Sequence, residues 1–200
     1  MRNVNQSIAH SMEERGLDVY FTPPEALEAI IEYENLKNIN IWEPSVGAGN
    51  LSKCLELNNC NVFSSDITSY GYNKQNEIKD FFKFEKAPVG YNTIVTNPPF
   101  FCWTKYALHA LSLCDKVILF GKLTILESED RTPILDCGKF VKVYPFKNRL
   151  PTMHREGWEG SKNSSSIAFA WYVFDNNHDG SDATVKRIVC KYDREKYKNQ

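Results

Sequence analysis

The stretch Ile41-Trp42-Glu43-Pro44-Ser45-Val46-Gly47-Ala48-Gly49-Asn50 decides the fold. Residues 39–43 read as a short strand, and Leu51, Cys54 and Leu55 open a helix on the far side of the turn. Gly47 and Gly49 let the chain turn sharply and approach a ligand with no Cβ in the way. Small nucleotide-like cofactors commonly lie at such strand ends in open α/β sheets. The spacing is neither the full GxGxxG dinucleotide fingerprint nor a Walker A loop. Taken alone, the turn could equally be an ordinary tight loop. Its meaning depends on its neighbours.

Moving toward the C-terminus, Asn61 to Ile67 reads as a second strand that carries Asp66 at its end, 17 residues after Gly49. A carboxylate there can accept two hydrogen bonds from a ribose diol. A polar loop over 68–77 leads to Asp80-Phe81-Phe82, an acceptor beside rings that suits an adenine amino group and its flat face. Residues 91–96 form a third strand, and it stops at Asn97-Pro98-Pro99-Phe100.

That tetrapeptide carries the sharpest chemistry. Two prolines restrict the backbone and remove two amide donors, which leaves carbonyl oxygens beside the Asn97 carboxamide. Phe100 offers a ring on which a planar substrate can stack. An exocyclic amine on an aromatic base is a poor nucleophile because its lone pair is delocalised into the ring. Asn97 Oδ1 and the Pro98 carbonyl could accept its two hydrogens, turning the lone pair outward. The same dipoles would stabilise positive charge as it grows on nitrogen. Asn97 is no general base, since an amide does not ionise usefully. Amino-nitrogen chemistry needs no nucleophilic cysteine, and Cys102 is assigned no covalent role.

Further out, Thr22, Pro23 and Glu25 resemble a capping box ahead of a helix whose apolar face is Ala26, Leu27, Ile30 and Ile31. Residues 103–113 are helical in pattern, and 116–120, 140–145, 167–174 and 184–190 are strand-like. Strands alternating with helices, then strands in succession, predict an α/β sheet ending in an antiparallel hairpin. A polar arm over 1–17, one catalytic domain over 18–192 with substrate loops near 121–165, and a basic tail over 193–200 complete the expected organisation.

The bulk properties permit this reading. A chain of 200 residues with 42% hydrophobic and 24% charged content suits one globular domain. The net charge of -1 does not advertise a nucleic-acid binder, although residues 131–163 are locally basic through Arg131, Lys139, Lys142, Lys147, Arg149, Arg155 and Lys162. Six cysteines without a CxxC pair and four scattered histidines argue against a metal site and for reduced thiols. No signal core or membrane-length apolar run is visible, so a cytoplasmic protein is expected.

In order and spacing these motifs resemble the class I S-adenosylmethionine-dependent amino-methyltransferases, and most closely small phage- or prophage-type DNA adenine-N6 methyltransferases. The resemblance spans roughly residues 18–175. It implies a single-domain Rossmann-like fold with a seven-stranded, mostly parallel sheet, one antiparallel strand and helices on both faces. It also implies that Tyr20, Phe21, Thr22 and Pro23 lie over the methionine end of the cofactor. Glu43, Gly47 and Gly49 would form its loop, Asp66 would bind ribose, and Asp80 with Phe81 would sit near adenine. Asn97, Pro98, Pro99 and Phe100 match the amino-methylation motif. Lys147 or Arg149 could reach phosphate from an acceptor-side loop.

The resemblance leaves the acceptor open to rivals: RNA adenine N6, DNA cytosine N4, a protein glutamine, or no turnover in a cofactor-binding scaffold. Because the methyltransferase motifs fill nearly the whole chain, a DNA site would be read by the 121–165 loops, the termini, or a homodimer or partner subunit. A duplex target would also have to be flipped out of its stack to reach Asn97.

Overall fold

A computed structural model describes residues 22–151 and 167–191. The expected roles of Tyr20, Phe21, Arg155 and Lys162, the arm over 1–17 and the tail over 193–200 lie outside the described residues. Helix α1 (Pro24–Ile31) precedes β1 (Asn40–Glu43), α2 (Asn50–Leu57), β2 (Asn61–Asp66) and the two-residue β3 (Glu77–Ile78). Then come β4 (Thr93–Thr96), α3 (Trp103–Leu113), β5 (Lys116–Lys122), the single turn α4 (Thr132–Leu135), β6 (Phe140–Pro145), β7 (Phe169–Asp175) and β8 (Thr184–Val185).

The strands form one sheet in the order β3-β2-β1-β4-β5-β7-β6-β8. Among the described strands only β7 runs against its neighbours, pairing antiparallel with both β5 and β6. The predicted late hairpin is therefore β6 with β7. The last strand adds an eighth member by lying parallel to β6, since β7 already occupies the other side of β6. Its predicted length of seven residues shrinks to Thr184–Val185 plus one bridge between Phe146 and Ile188, and among the described residues no strand lies beyond it.

Strand periodicity sorts side chains onto two apolar layers. On β5, Ile118 and Phe120 pack with Leu27, Ile30 and Leu55 of α1 and α2. Val117 and Leu119 pack with Trp103, Tyr106 and Ala110 of α3 on the other face. Trp171 and Val173 of β7 join the first layer, and Tyr172 and Phe174 join the second. Buried indole nitrogens are satisfied: Trp171 Nε1 donates to Ala26 O at 2.8 Å and Trp103 Nε1 to Phe120 O at 3.0 Å. These bonds anchor the starts of α1 and α3 to the sheet. The carboxyl ends of β1, β2, β4, β5 and β6 consequently open on a common edge.

Candidate functional site

A cavity of about 380 Å³ lies on that carboxyl edge. Its walls bring together Thr22, Glu43, Gly47, Asp66, Asp80, Phe81, Asn97 and Pro99, drawn from segments up to 77 residues apart in sequence. At the strand crossover of an open α/β sheet this is where a nucleotide-like ligand fits.

The turn after β1 is wired to the end of β2. Gly47 N donates to Asp66 Oδ2 at 2.9 Å, and Ile67 N donates to Asp66 Oδ1 at 2.7 Å. Gly47 and Gly49 both have positive φ, 51° and 82°. Their uses differ. Gly47 lines the cavity, whereas a Cβ on Gly49 would fall 2.3 Å from the Tyr72 ring, so Gly49 permits packing under the turn. Burial raises the Asp66 pKa, opposed by backbone hydrogen bonds from Gly47, Ile67 and Thr68.

Glu43, only 1% exposed, closes the floor. Ser52 Oγ donates to its carboxyl group and shares a 2.7 Å hydrogen bond with Ser64 Oγ. Burial pushes the Glu43 pKa well above the ordinary carboxylate range; Ser52 opposes this and the charge of Asp66 adds to it. Three carboxylates thus face the cavity, and none of its described lining residues is Lys, Arg or His. Such a wall favours a cationic ligand.

The remaining wall is aromatic. Asp80 caps the short turn Phe81–Lys83 by accepting from Phe82 N at 3.0 Å. Phe81 stacks on Tyr106 with centroids 4.1 Å apart and meets Trp42 edge-on at 5.4 Å. Tyr106, whose hydroxyl shares a 2.8 Å bond with Ser45 Oγ, was hidden in the sequence by the apolar stripe Trp103, Tyr106, Ala107 and Ala110. Phe82, the second ring of the Asp80-Phe81-Phe82 stretch, lines the cavity too, and Ser45, Tyr70 and Phe101 line it without having been singled out. The one signal in the sequence was their place beside motif residues.

At the acceptor end, Asn97 Nδ2 donates to Thr22 Oγ1 at 2.9 Å. Thr22 is not the N-cap of α1 as expected: Pro23 holds that position, without a side-chain cap hydrogen bond. Pro98 is buried behind the wall, and Pro99 lines it. Phe100 does not line the cavity; its ring lies 6.2 Å from that of Phe169, with Lys122 Nζ 5.0 Å from its centroid. Its neighbour Phe101 does line the cavity and is 78% exposed.

Lys147 and Arg149 follow β6 on the same edge of the sheet, exposed but outside the cavity wall. The rest of the basic segment is largely committed elsewhere. Lys139 donates to Asn176 O and His178 O, Lys142 pairs with Glu34, and Arg131 hydrogen-bonds Thr104. No group of metal-ligating side chains is assembled among the described residues. Nor is any helix among them long and apolar enough to cross a membrane.

The sheet order, with its single reversed strand, can now be set beside known structures. The fold is that of the class I methyltransferases. A candidate RNA methyltransferase from Pyrococcus horikoshii superposes with a TM-score of 0.58 at 16% identity, covering 80% of this chain and 88% of that one. The methyltransferase subunit of a type I restriction-modification system from Streptococcus thermophilus gives 0.55 at 12% identity, over 80% of this chain and 45% of that one. The 23S rRNA methyltransferase ErmE gives 0.53 at 13% identity, over 82% and 73%. No family model matches the chain, and no curated protein matches it in sequence. At these identities the likeness is one of fold.

Proposed function

We propose that this protein transfers a methyl group from S-adenosylmethionine to the exocyclic N6 amino group of adenine in DNA. The observation that carries the reading is the convergence of Gly47, Asp66 and Asn97 on one acidic, partly aromatic cavity at the carboxyl edge of the sheet. When bound, the cofactor supplies an electrophilic methyl group on a positively charged sulfur.

The chain's own residues do the rest. Asp66, already fixed by two backbone amides, presents acceptor lone pairs to a ribose diol. Phe81 and Asp80 border the adenine end, and Glu43 faces the cationic end, where Thr22 and Pro23 follow Tyr20 and Phe21 in the chain. Gly49 shapes the loop from behind. Asn97 Oδ1 and the Pro98 carbonyl accept hydrogens from the acceptor amine, aim its lone pair, and stabilise its developing charge without taking its proton, which leaves to water. Pro99 stiffens this wall. Phe101 provides the exposed aromatic surface at the mouth, while Phe100 is braced on Phe169 outside the wall. Placement accounts for most of the catalysis.

DNA as the acceptor is supported by the motif resemblance and by cations outside the cavity on its edge: Lys122 over Phe100, Lys105 over the cavity-lining Phe82 at 4.4 Å, and exposed Lys147 and Arg149. These would meet phosphate while the cavity holds the base. RNA is the second reading, favoured because two of the fold neighbours are described as acting on RNA.

The test is transfer of labelled methyl from the donor into separate DNA, RNA and protein pools, followed by nucleoside and amino-acid analysis. Label confined to N6-methyladenine in DNA is expected; label confined to RNA or protein overturns the acceptor assignment. Asn97→Ala should lower kcat by on the order of a hundredfold or more while donor affinity by calorimetry stays within about twofold. Equal loss of both would make Asn97 a structural residue.

A further inference from the structure

Phe100 and Phe101 open the short 3-10 turn Phe100–Cys102 that joins Pro99 to α3. Such a turn has about three residues per revolution, so neighbouring side chains leave it in different directions. Phe100 goes to the sheet. Its ring packs against both apolar layers, 6.2 Å from that of Phe169, and Lys122 Nζ lies 5.0 Å from its centroid. Phe101 goes to the mouth of the cavity and is 78% exposed.

The backbone under Phe101 is pinned on both sides. Cys102 N donates to Pro99 O at 3.3 Å, and the buried Trp103 donates from Nε1 to Phe120 O at 3.0 Å. Two rings stand among the exposed large apolar side chains of the described residues, Tyr33 and Phe101. Tyr33 already has partners: Tyr144 stacks on it at 6.0 Å, and Lys186 Nζ lies 3.7 Å from its centroid. Among the described residues no ring stacks on Phe101 and no cation lies over it. Single exposed apolar residues are ordinary. An unstacked ring on a fixed base at the lip of a ligand cavity is placed to receive another ring.

We infer that Phe101, one position beyond the ring that ends the Asn97-Pro98-Pro99-Phe100 motif, is the residue on which the acceptor base stacks. This rests on the amino-methylation reading above. A base held by one face keeps its edge free, so its exocyclic amine can turn toward the Asn97 carboxamide in the same cavity. A phenyl ring has only two torsions to fix, so stacking there costs little ordering entropy. The platform also selects the kind of acceptor. Every base has a π-face to lay on the ring, whereas a glutamine side chain carries its amide nitrogen without an aromatic ring. Phe101 therefore favours a nucleobase over a protein amide.

Phe101→Leu keeps an apolar side chain and removes the ring; Phe101→Tyr keeps the ring. With labelled donor and unmethylated genomic DNA, Phe101→Leu should lower kcat/KM for DNA by roughly tenfold or more. Phe101→Tyr should keep it within about threefold. Donor affinity by calorimetry should stay within about twofold in both, because the ring serves the acceptor. Wild-type kcat/KM in Phe101→Leu, equal losses in the two variants, or a loss of donor affinity as large as the loss in kcat/KM would each overturn the inference.

A readout without turnover separates this from failure of the functional reading. With para-fluorophenylalanine in place of Phe101 and the thioether product filling the donor site, deoxyadenosine monophosphate should shift the fluorine resonance saturably. Deoxyribose phosphate, which lacks the base, should leave it in place. If that pattern holds while no nucleic acid is methylated, the ring platform stands and the amino-methylation reading falls. If label appears in N6-methyladenine but the resonance ignores the nucleotide, methylation stands and Phe101 is not the stacking residue.

Discussion

Glu34 and Glu43 stand nine positions apart, both buried, at opposite ends of the sheet, and they live in contrary electrostatic worlds. Glu34 lies beside the starts of β5 and β6. Lys116 Nζ is 2.7 Å from one of its oxygens, Lys142 Nζ is 3.4 Å from the other, and Tyr144 OH donates to it as well. Glu43, at the cavity floor, has serine hydroxyls around it and Asp66 nearby, with no cation among the described lining residues. The first carboxylate is neutralised by the fold itself. The second awaits a cation from outside.

Their proton affinities diverge accordingly. Burial pushes the Glu34 carboxyl up, but hydrogen bonds from Lys116 and Tyr144 and the charges of Lys116 and Lys142 outweigh it, so its pKa lies below the ordinary 4.5. Its stabilisation is present above the unfolded-state value and is lost as pH falls through the lower folded-state value. Burial leaves Glu43 with the opposite sign. The folded protein without ligand keeps the proton on Glu43 at pH values where the unfolded chain releases it, so this group subtracts stability as pH rises above the ordinary carboxylate range.

The most damaging test of the contrast is Glu34→Ala. It strands two lysines against a buried surface that the carboxylate had satisfied, and should cost about 2–4 kcal/mol in urea unfolding at neutral pH. Donor affinity of the remaining folded protein should be unchanged. A loss of donor binding equal to that from a cavity mutation would show that the two ends are not separate.

Glu43→Gln sharpens the other side. It should weaken binding of the sulfonium donor by about tenfold, and of the thioether product, which lacks that charge, by less. Calorimetry with both ligands reads the difference. In the ligand-free protein the same substitution should flatten the decline of stability as pH rises above the ordinary carboxylate range. Identical weakening toward both ligands would mean that Glu43 shapes the floor without reading charge.

Much of this was legible locally. The helix 103–113 and the strand 140–145 were bounded to the residue, because their apolar positions repeat at one period and stop together. The Asp66, Asp80 and Asn97 motifs reached one cavity because each ends or closely follows a strand of one parallel block. What could not be read depended on distant partners. Strand β5 runs past Phe120 to Lys122 because Ala170 and Phe169 pair with Gly121 and Lys122. Thr22 looks like a helix cap until Asn97, 75 positions away, takes its oxygen. Lys142 counted toward a basic surface until Glu34 claimed it. Charge in a sequence is a quantity; in a structure it is a pairing.

The finest test is Tyr144→Phe, which removes one donor from Glu34 and leaves both lysines. The ring should keep its stacked place 6.0 Å from Tyr33, so the change isolates the hydroxyl. The expected loss is about 1 kcal/mol at neutral pH, smaller than for Glu34→Ala because no buried charge is stranded. Losing this donor also raises the folded-state pKa of Glu34 toward its ordinary value. Acid unfolding should therefore begin at a higher pH than in wild type, while stability above pH 6 falls by a constant amount. If the acid limb stays put, the two lysines alone hold the Glu34 charge, and the hydroxyl merely fills space beside it.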